Sequence, residues 1–318
     1  MTAATLRVRV ARKTQETPDI CSLELVHADG ELLPSFSAGS HIDVHLPNGL
    51  IRQYSLFNDP AEQHHYMIAI LRDPSSRGGS QAVHDLVQEG QAITIGMPRN
   101  LFPLAPVAGH SLLLAGGIGI TPIVCMAHHL SSQQADFTLH YCTRSRERTA
   151  FRDSIAQSAF APQTRFHHDD EHPAGLPALI GDPSPDRHLY VCGPRGFMDA
   201  VLETARRQGW AEQNLHYEFF SASTVVHDTD AAFDIKLAHT GRVIPVLKDQ
   251  SVTQALAAAG VALSTSCEQG VCGTCLTRVL EGEPDHRDMF LSPDEQKRND
   301  SFLPCCSRSR TPMLVLDM

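Results

Sequence analysis

The chain has 318 residues and a formal net charge of −10, so it exceeds one ordinary domain and offers no basic half for nucleic acid to hold. No apolar run approaches the ~18–20 residues of a membrane span and no leader pattern opens the sequence, so neither a membrane partner nor export is expected. Nine cysteines in a chain of this size read as free thiols of a reducing compartment, the cytoplasm, rather than as a disulfide framework.

Residues 1–104 read as short strands broken by turns. Leu6-Arg7-Val8-Arg9-Val10, residues 20–25 and residues 41–46 alternate with the period of half-buried strands, and Pro47-Asn48-Gly49 is turn chemistry between two of them. A small antiparallel barrel is the expected fold. Arg52-Gln53-Tyr54-Ser55 places a cation, a ring and a hydroxyl on one strand, with Arg52 and Tyr54 on the side opposite Gln53 and Ser55. A solvated Arg52 and a packed Tyr54 would be the ordinary reading of those residues alone. Further on, Arg77-Gly78-Gly79-Ser80 precedes a helical segment from Gln81. Glycines opening a helix beside a serine and an arginine make an anion site, although helix capping accounts for the same residues.

Residues 105–224 change character. Ser111-Leu112-Leu113-Leu114-Ala115 is the unbroken apolar strand of a sheet covered on both faces, and it ends in Gly116-Gly117-Ile118-Gly119-Ile120-Thr121-Pro122, with Pro122 placed for a helix first turn. This is a nucleotide-binding crossover of a Rossmann-like α/β domain, but not the G-x-G-x-x-G fingerprint, because Pro122 stands where the third glycine would. The strand at 137–143 ends in Arg144 with no carboxylate for a ribose hydroxyl, and Arg144, Arg146 and Arg148 offer cations to a 2′-phosphate. A later strand ends in Cys192-Gly193-Pro194, at the edge where such sheets bind ligands. The run His167-His168-Asp169-Asp170-Glu171-His172 precedes Pro173 and is expected to be a solvated loop rather than a metal site.

Residues 225–232 read as a linker, and 233–318 as a third domain. Two strands joined through Thr240-Gly241 lead to a helix with Ser251 as N-cap and Gly260 beyond its C-terminus. Then comes Cys267-Glu268-Gln269-Gly270-Val271-Cys272-Gly273-Thr274-Cys275, with a further thiol in Leu303-Pro304-Cys305-Cys306. C-x4-C-x2-C with a distant fourth is the plant-type arrangement for a [2Fe-2S] cluster, whereas four-thiolate zinc sites usually show two C-x2-C pairs.

In this order, Arg52 to Ser55, Gly78 to Ser80, Gly116 to Pro122 and Cys192 to Pro194 resemble the ferredoxin–NADP reductase superfamily. With the cysteine domain at the end, the chain resembles the phthalate dioxygenase reductase and vanillate O-demethylase reductase family over residues 6–318. The resemblance implies a flavin-binding β-barrel, a Rossmann-like α/β nucleotide domain and a β-grasp ferredoxin domain. It implies FMN, with Arg52 and the Arg77 to Ser80 turn near its phosphate and Tyr54 and Ser55 at the isoalloxazine. Cys192 would lie near the nicotinamide, and Phe220 in Glu218-Phe219-Phe220-Ser221 would cover the flavin ring, although core packing accounts equally for either phenylalanine. Cys305 is the fourth cluster ligand by the family pattern, with Cys306 the alternative. The family uses NADH, and this outweighs the three arginines.

NADH gives up a hydride, two electrons at once, and a [2Fe-2S] cluster takes one at a time, so a flavin between them is required. The resemblance makes the acceptor a terminal oxygenase with a Rieske centre and mononuclear non-haem iron. Two other readings stand beside this one: an NADPH-dependent reductase of a separate ferredoxin, and a redox-responsive binding module.

Overall fold

A computed structural model describes residues 4–74, 76, 78–171, 175–220 and 230–318. The chain forms two compact units, Met1–Glu218 and Phe219–Met318. Arg77, His172 and most of the expected linker lie outside the described residues.

The first unit opens with strands β1 (Thr5–Thr17), β2 (Ile20–His27), β3 (Ser40–His45), β4 (Ile51–Ser55), β5 (Tyr66–Leu71), β6 (Ala92–Gly96) and the short β7 (Arg99–Asn100). Their order is β4-β3-β6-β1-β2-β5, with β7 beside β3. The path closes where Leu56 bridges Ile68. Alternation sends Val8, Val10, Leu23, Leu25, Ile42, Val44, Ile68 and Ile70 into one core. Helix α1 (Gly79–Leu86) plugs that core with Ala82 and Val83. Pairing of Val44 with Arg52, Asp43 with Gln53, Ile42 with Tyr54 and His41 with Ser55 separates the two faces of β4 as the alternation requires.

The same unit continues with a parallel sheet of β8 (His110–Gly116), β9 (Phe137–Thr143), β10 (Thr164–His168), β11 (Arg187–Cys192) and β12 (Leu215–Glu218), in the order β10-β9-β8-β11-β12. Helices α2 (Ile120–Ser132), α3 (Arg152–Ala156), α4 (Leu176–Ile180) and α5 (Arg195–Arg207) belong to its crossovers. The strand order reverses at β8, so the ligand crevice is set at the carboxyl ends of β8 and its neighbours. One expectation is overturned here. His167 and His168 do not lie in a solvated loop: they end β10, paired with Cys142 and Thr143 of β9, and His140 Nδ1 lies 2.9 Å from His167 Nε2. The ladder supplies the backbone partners, and His140 gives the His167 ring a partner.

In the second unit, β13 (Phe233–Leu237), β14 (Val243–Val246), β15 (Thr277–Glu281), β17 (Ser301–Phe302) and β19 (Met313–Leu316) form a sheet in the order β14-β13-β19-β15-β17. The short β16 (Pro284–Asp285) and β18 (Arg308–Ser309) pair separately. Helix α6 (Val252–Ala258) covers the sheet through Val252, Ala255 and Leu256. Its N-terminus is a capping box of Ser251 and Gln254, and Gly260 beyond its C-terminus takes φ 73. Helix α7 (Pro293–Arg298) carries a second capping box, Ser292 with Glu295. No helix among the described residues is long and apolar enough to cross a membrane.

Candidate functional site

The first component is an anion cradle at the start of α1. Its N-terminus has no side-chain cap and no acidic residue in its first turn, and Gly78 before it takes φ 89. Arg52, buried on β4, lies across Gly79 so closely that a Cβ there would stand 2.6 Å from Nε. Arg52 Nη1 also donates to the Ile51 carbonyl at 2.7 Å, which fixes the guanidinium. Ser80 Oγ accepts the Asp73 N–H at 3.1 Å and keeps its own proton for another acceptor. Free helix N–H groups, a hydroxyl and a held cation could take a phosphate.

The second component joins barrel and sheet. Ser55 Oγ donates to Glu218 Oε2 at 3.4 Å. Cys192, fully buried, stands in register with Glu218 on the adjacent strand, so the two side chains share a face. Burial pushes the Cys192 thiol well up, and loss of water raises the Glu218 carboxyl to about 8 against the opposing pull of the Ser55 hydrogen bond. At neutral pH a hydroxyl, a thiol and a carboxylic acid meet there without net charge. Sequence reasoning missed Glu218. Its signal was its place at the end of a strand directly before the two phenylalanines.

Beside this group opens a cleft of about 910 Å³ at the carboxyl ends of β8, β9 and β10. Gly116, Gly117, Thr143, Arg144, Pro194 and Phe197 line it from the sheet side, and Asp19, Leu71 and Arg72 from the barrel. Pro122 lies in the first turn of α2, and Thr121 Oγ1 donates to the Ile118 carbonyl at 3.2 Å, tightening the turn. Gly119 packs against the Cys192 carbonyl, and Gly193 against Gly116 and the Phe197 ring. Of the arginines weighed for a 2′-phosphate, Arg148 is held by Asp19 at 2.6 Å. Asp169 lines the cleft with Arg144, because its N–H bonds the Thr143 carbonyl at 3.0 Å as β10 ends beside β9. The carboxylate that the strand ending at Thr143 lacks thus arrives from its neighbour.

The third component is the cysteine loop in the second unit. Cys267, Cys275 and Cys305 are buried and Cys272 is partly exposed. Cys267 lies beside Cys272, and Cys305 lies beside both Cys275 and Cys306. A [2Fe-2S] cluster takes four thiolates, two to each iron. The C-x4-C-x2-C spacing with a distant fourth thiol fits a binuclear cluster. The Gln269 N–H reaches Cys267 Sγ at 3.2 Å and Thr274 Oγ1 lies 3.2 Å from Cys272 Sγ; such contacts hold thiolate charge. Gly273 takes φ 71, and a Cβ there would run into the Phe290 ring. Cys306 donates instead to the Leu303 carbonyl at 3.7 Å.

The first unit holds a nucleotide cleft and an anion cradle and the second a four-cysteine loop, and these parts define the class: a pyridine-nucleotide oxidoreductase with flavin and iron–sulfur centres. Residues 235–310 match the 2Fe-2S iron-sulfur cluster binding domain. Over 303 residues the chain is 54% identical to a vanillate O-demethylase oxidoreductase of Pseudomonas sp., covering 94% of this chain and 96% of that one. Phthalate dioxygenase reductase of Burkholderia cepacia is 37% identical over 317 residues, covering 98% and 97%. A solved structure of phthalate dioxygenase reductase, described as modular for electron transfer from pyridine nucleotides to [2Fe-2S], superposes with a TM-score of 0.82 at 37% identity, covering 99% and 98%. The chain belongs to this family of reductases, which supply electrons to an oxygenase; its cofactors are FMN, NADH and a [2Fe-2S] cluster.

Proposed function

We propose that this chain is the reductase of an aromatic O-demethylase whose terminal component carries a Rieske centre and non-haem iron. The observation that carries this is that three vanillate O-demethylase oxidoreductases stand at 54%, 53% and 47% identity, each aligned over 96% or more of its length, against 40% and 37% for two phthalate reductases.

In this reading Arg52, Arg77, Gly78, Gly79 and Ser80 hold the FMN phosphate, Gln53, Tyr54 and Ser55 line the isoalloxazine, and Phe220 covers it. Gly116, Gly117, Gly119, Thr121, Pro122, Gly193 and Pro194 shape the NADH site. Cys192 and Glu218 flank the nicotinamide, Asp169 accepts the adenosine ribose hydroxyls, and Arg144 faces the pyrophosphate side of the cleft. Cys267, Cys272, Cys275 and Cys305 ligate the cluster. When bound, the flavin supplies the exchange of one hydride for two single electrons. The chain's own residues keep that place neutral and dry through Ser55, Cys192 and Glu218.

The test mixes the purified protein with NADH and either a vanillate O-demethylase oxygenase or a phthalate dioxygenase oxygenase. Product release coupled to NADH should be at least about tenfold faster with the former. Equal or reversed rates would reject the O-demethylase assignment.

A further inference from the structure

One half-buried cation has no part in the sites described above. Lys13, on β1, sends its Nζ to the carbonyls of Val83, His84 and Val87 at 3.0, 2.7 and 2.8 Å. These belong to the last turn of α1 and the residue after it, where carbonyls have no intrahelical partner. The helix itself supplies no cap at that end: Val87 is extended, at φ −85 and ψ 126, and the next residue, Gln88, is not a left-handed glycine. An ammonium has three protons, and here each meets one carbonyl. The basic residue of the last turn is His84, whose ring is kept from charging by burial, so Lys13 supplies the positive charge at the helix's negative pole. Its own backbone is fixed as well, since Lys13 pairs with Leu23 across the sheet and its N–H donates to Glu89 Oε1 at 2.7 Å.

The other end of the same eight-residue helix is the uncapped N-terminus under Arg52. A helix of that length spans about 12 Å. One end is gripped and neutralised, and the other is left open toward the cradle.

We propose that Lys13 is a positioning residue for the FMN phosphate: by clasping the C-terminal carbonyls of α1 it sets where the helix N–H groups stand relative to Arg52. This rests on the reading that the phosphate sits at the α1 N-terminus. Lys13 does not touch the flavin, so its effect is confined to what the helix end binds. The isoalloxazine, held by β4, is outside its reach.

That confinement is the test. Flavin is removed from the full-length protein, and dissociation constants for FMN and riboflavin are measured by flavin fluorescence for wild type, Lys13→Met, Lys13→Arg and Arg52→Gln. Lys13→Met should weaken FMN about tenfold and riboflavin by less than about twofold, the former being the scale of a well-placed helix-terminus charge. Lys13→Arg keeps the charge, but its planar fork cannot serve three carbonyls; it should weaken FMN about threefold, again with riboflavin unchanged. Should Lys13→Met not fold, the arginine variant decides. Equal weakening of both flavins would make Lys13 a staple of the barrel and overturn the proposal, as would no change in either. Arg52→Gln examines the underlying reading separately: if it leaves the preference for FMN over riboflavin intact, the phosphate lies elsewhere and the cradle assignment fails.

Discussion

Glu218 and Asp169 show how single side chains gain a role only from the neighbours that folding gives them. Glu218 is an ordinary acid in the sequence; in register with Cys192 and bonded to Ser55 it is raised to about 8 from an ordinary 4.5. A raised carboxyl favours folding fully below its unfolded value, and the advantage is lost as pH rises through the folded value. Wild type should therefore lose thermal stability relative to Glu218→Gln between pH 4.5 and 8, by on the order of 10 °C, with no further divergence above pH 8. A melting difference independent of pH would show that the carboxyl is not raised. Asp169 lines the nucleotide cleft, and in the proposed NADH site it would face a 2′-phosphate, which a like charge a few ångströms away repels. Asp169→Ser should lower the ratio of kcat/KM for NADH over NADPH by about tenfold or more, the scale of one lost charge repulsion with one lost hydrogen bond. An unchanged ratio would remove Asp169 from the ribose.

At the scale of elements, legibility followed hydrophobic periodicity. The strand at 137–143 and the apolar strand at 111–115 fall where the sequence places them, because apolar, β-branched and aromatic residues concentrate there. The cap at Ser251 and the positive φ at Gly260 were equally local and equally readable. β10 was not, because Thr164–His168 is a short, largely polar strand whose stability comes from parallel pairing with β9. Its misreading hid Asp169 as well. The cysteine spacing named the cluster but left two candidates for the fourth ligand. Cys305 lies beside Cys275 and Cys306, and Cys306 also donates to the Leu303 carbonyl. Cys306→Ser should keep full iron and acid-labile sulfide, while Cys305→Ser should lose most of both. Iron retained in Cys305→Ser, or lost in Cys306→Ser, would exchange the assignments.

For the whole molecule, the division into units follows the division of labour. Nucleotide cleft, Ser55–Glu218 junction and anion cradle all lie within Met1–Glu218, while the four ligand thiols lie within Phe219–Met318. Each unit has its own buried core, so loss of the cluster should leave the nucleotide reaction standing. The central claim is that electrons leave the chain from the cluster. It is tested most directly by following Cys272→Ser and wild type in one stopped-flow experiment with NADH and the terminal oxygenase. Flavin bleaching should proceed at the same rate in both proteins within about twofold, while oxygenase turnover should fall at least about a hundredfold in the variant, the loss expected when an obligatory carrier is removed. Undiminished oxygenase turnover by the cluster-free variant would contradict the account, because electrons would then be leaving from the flavin.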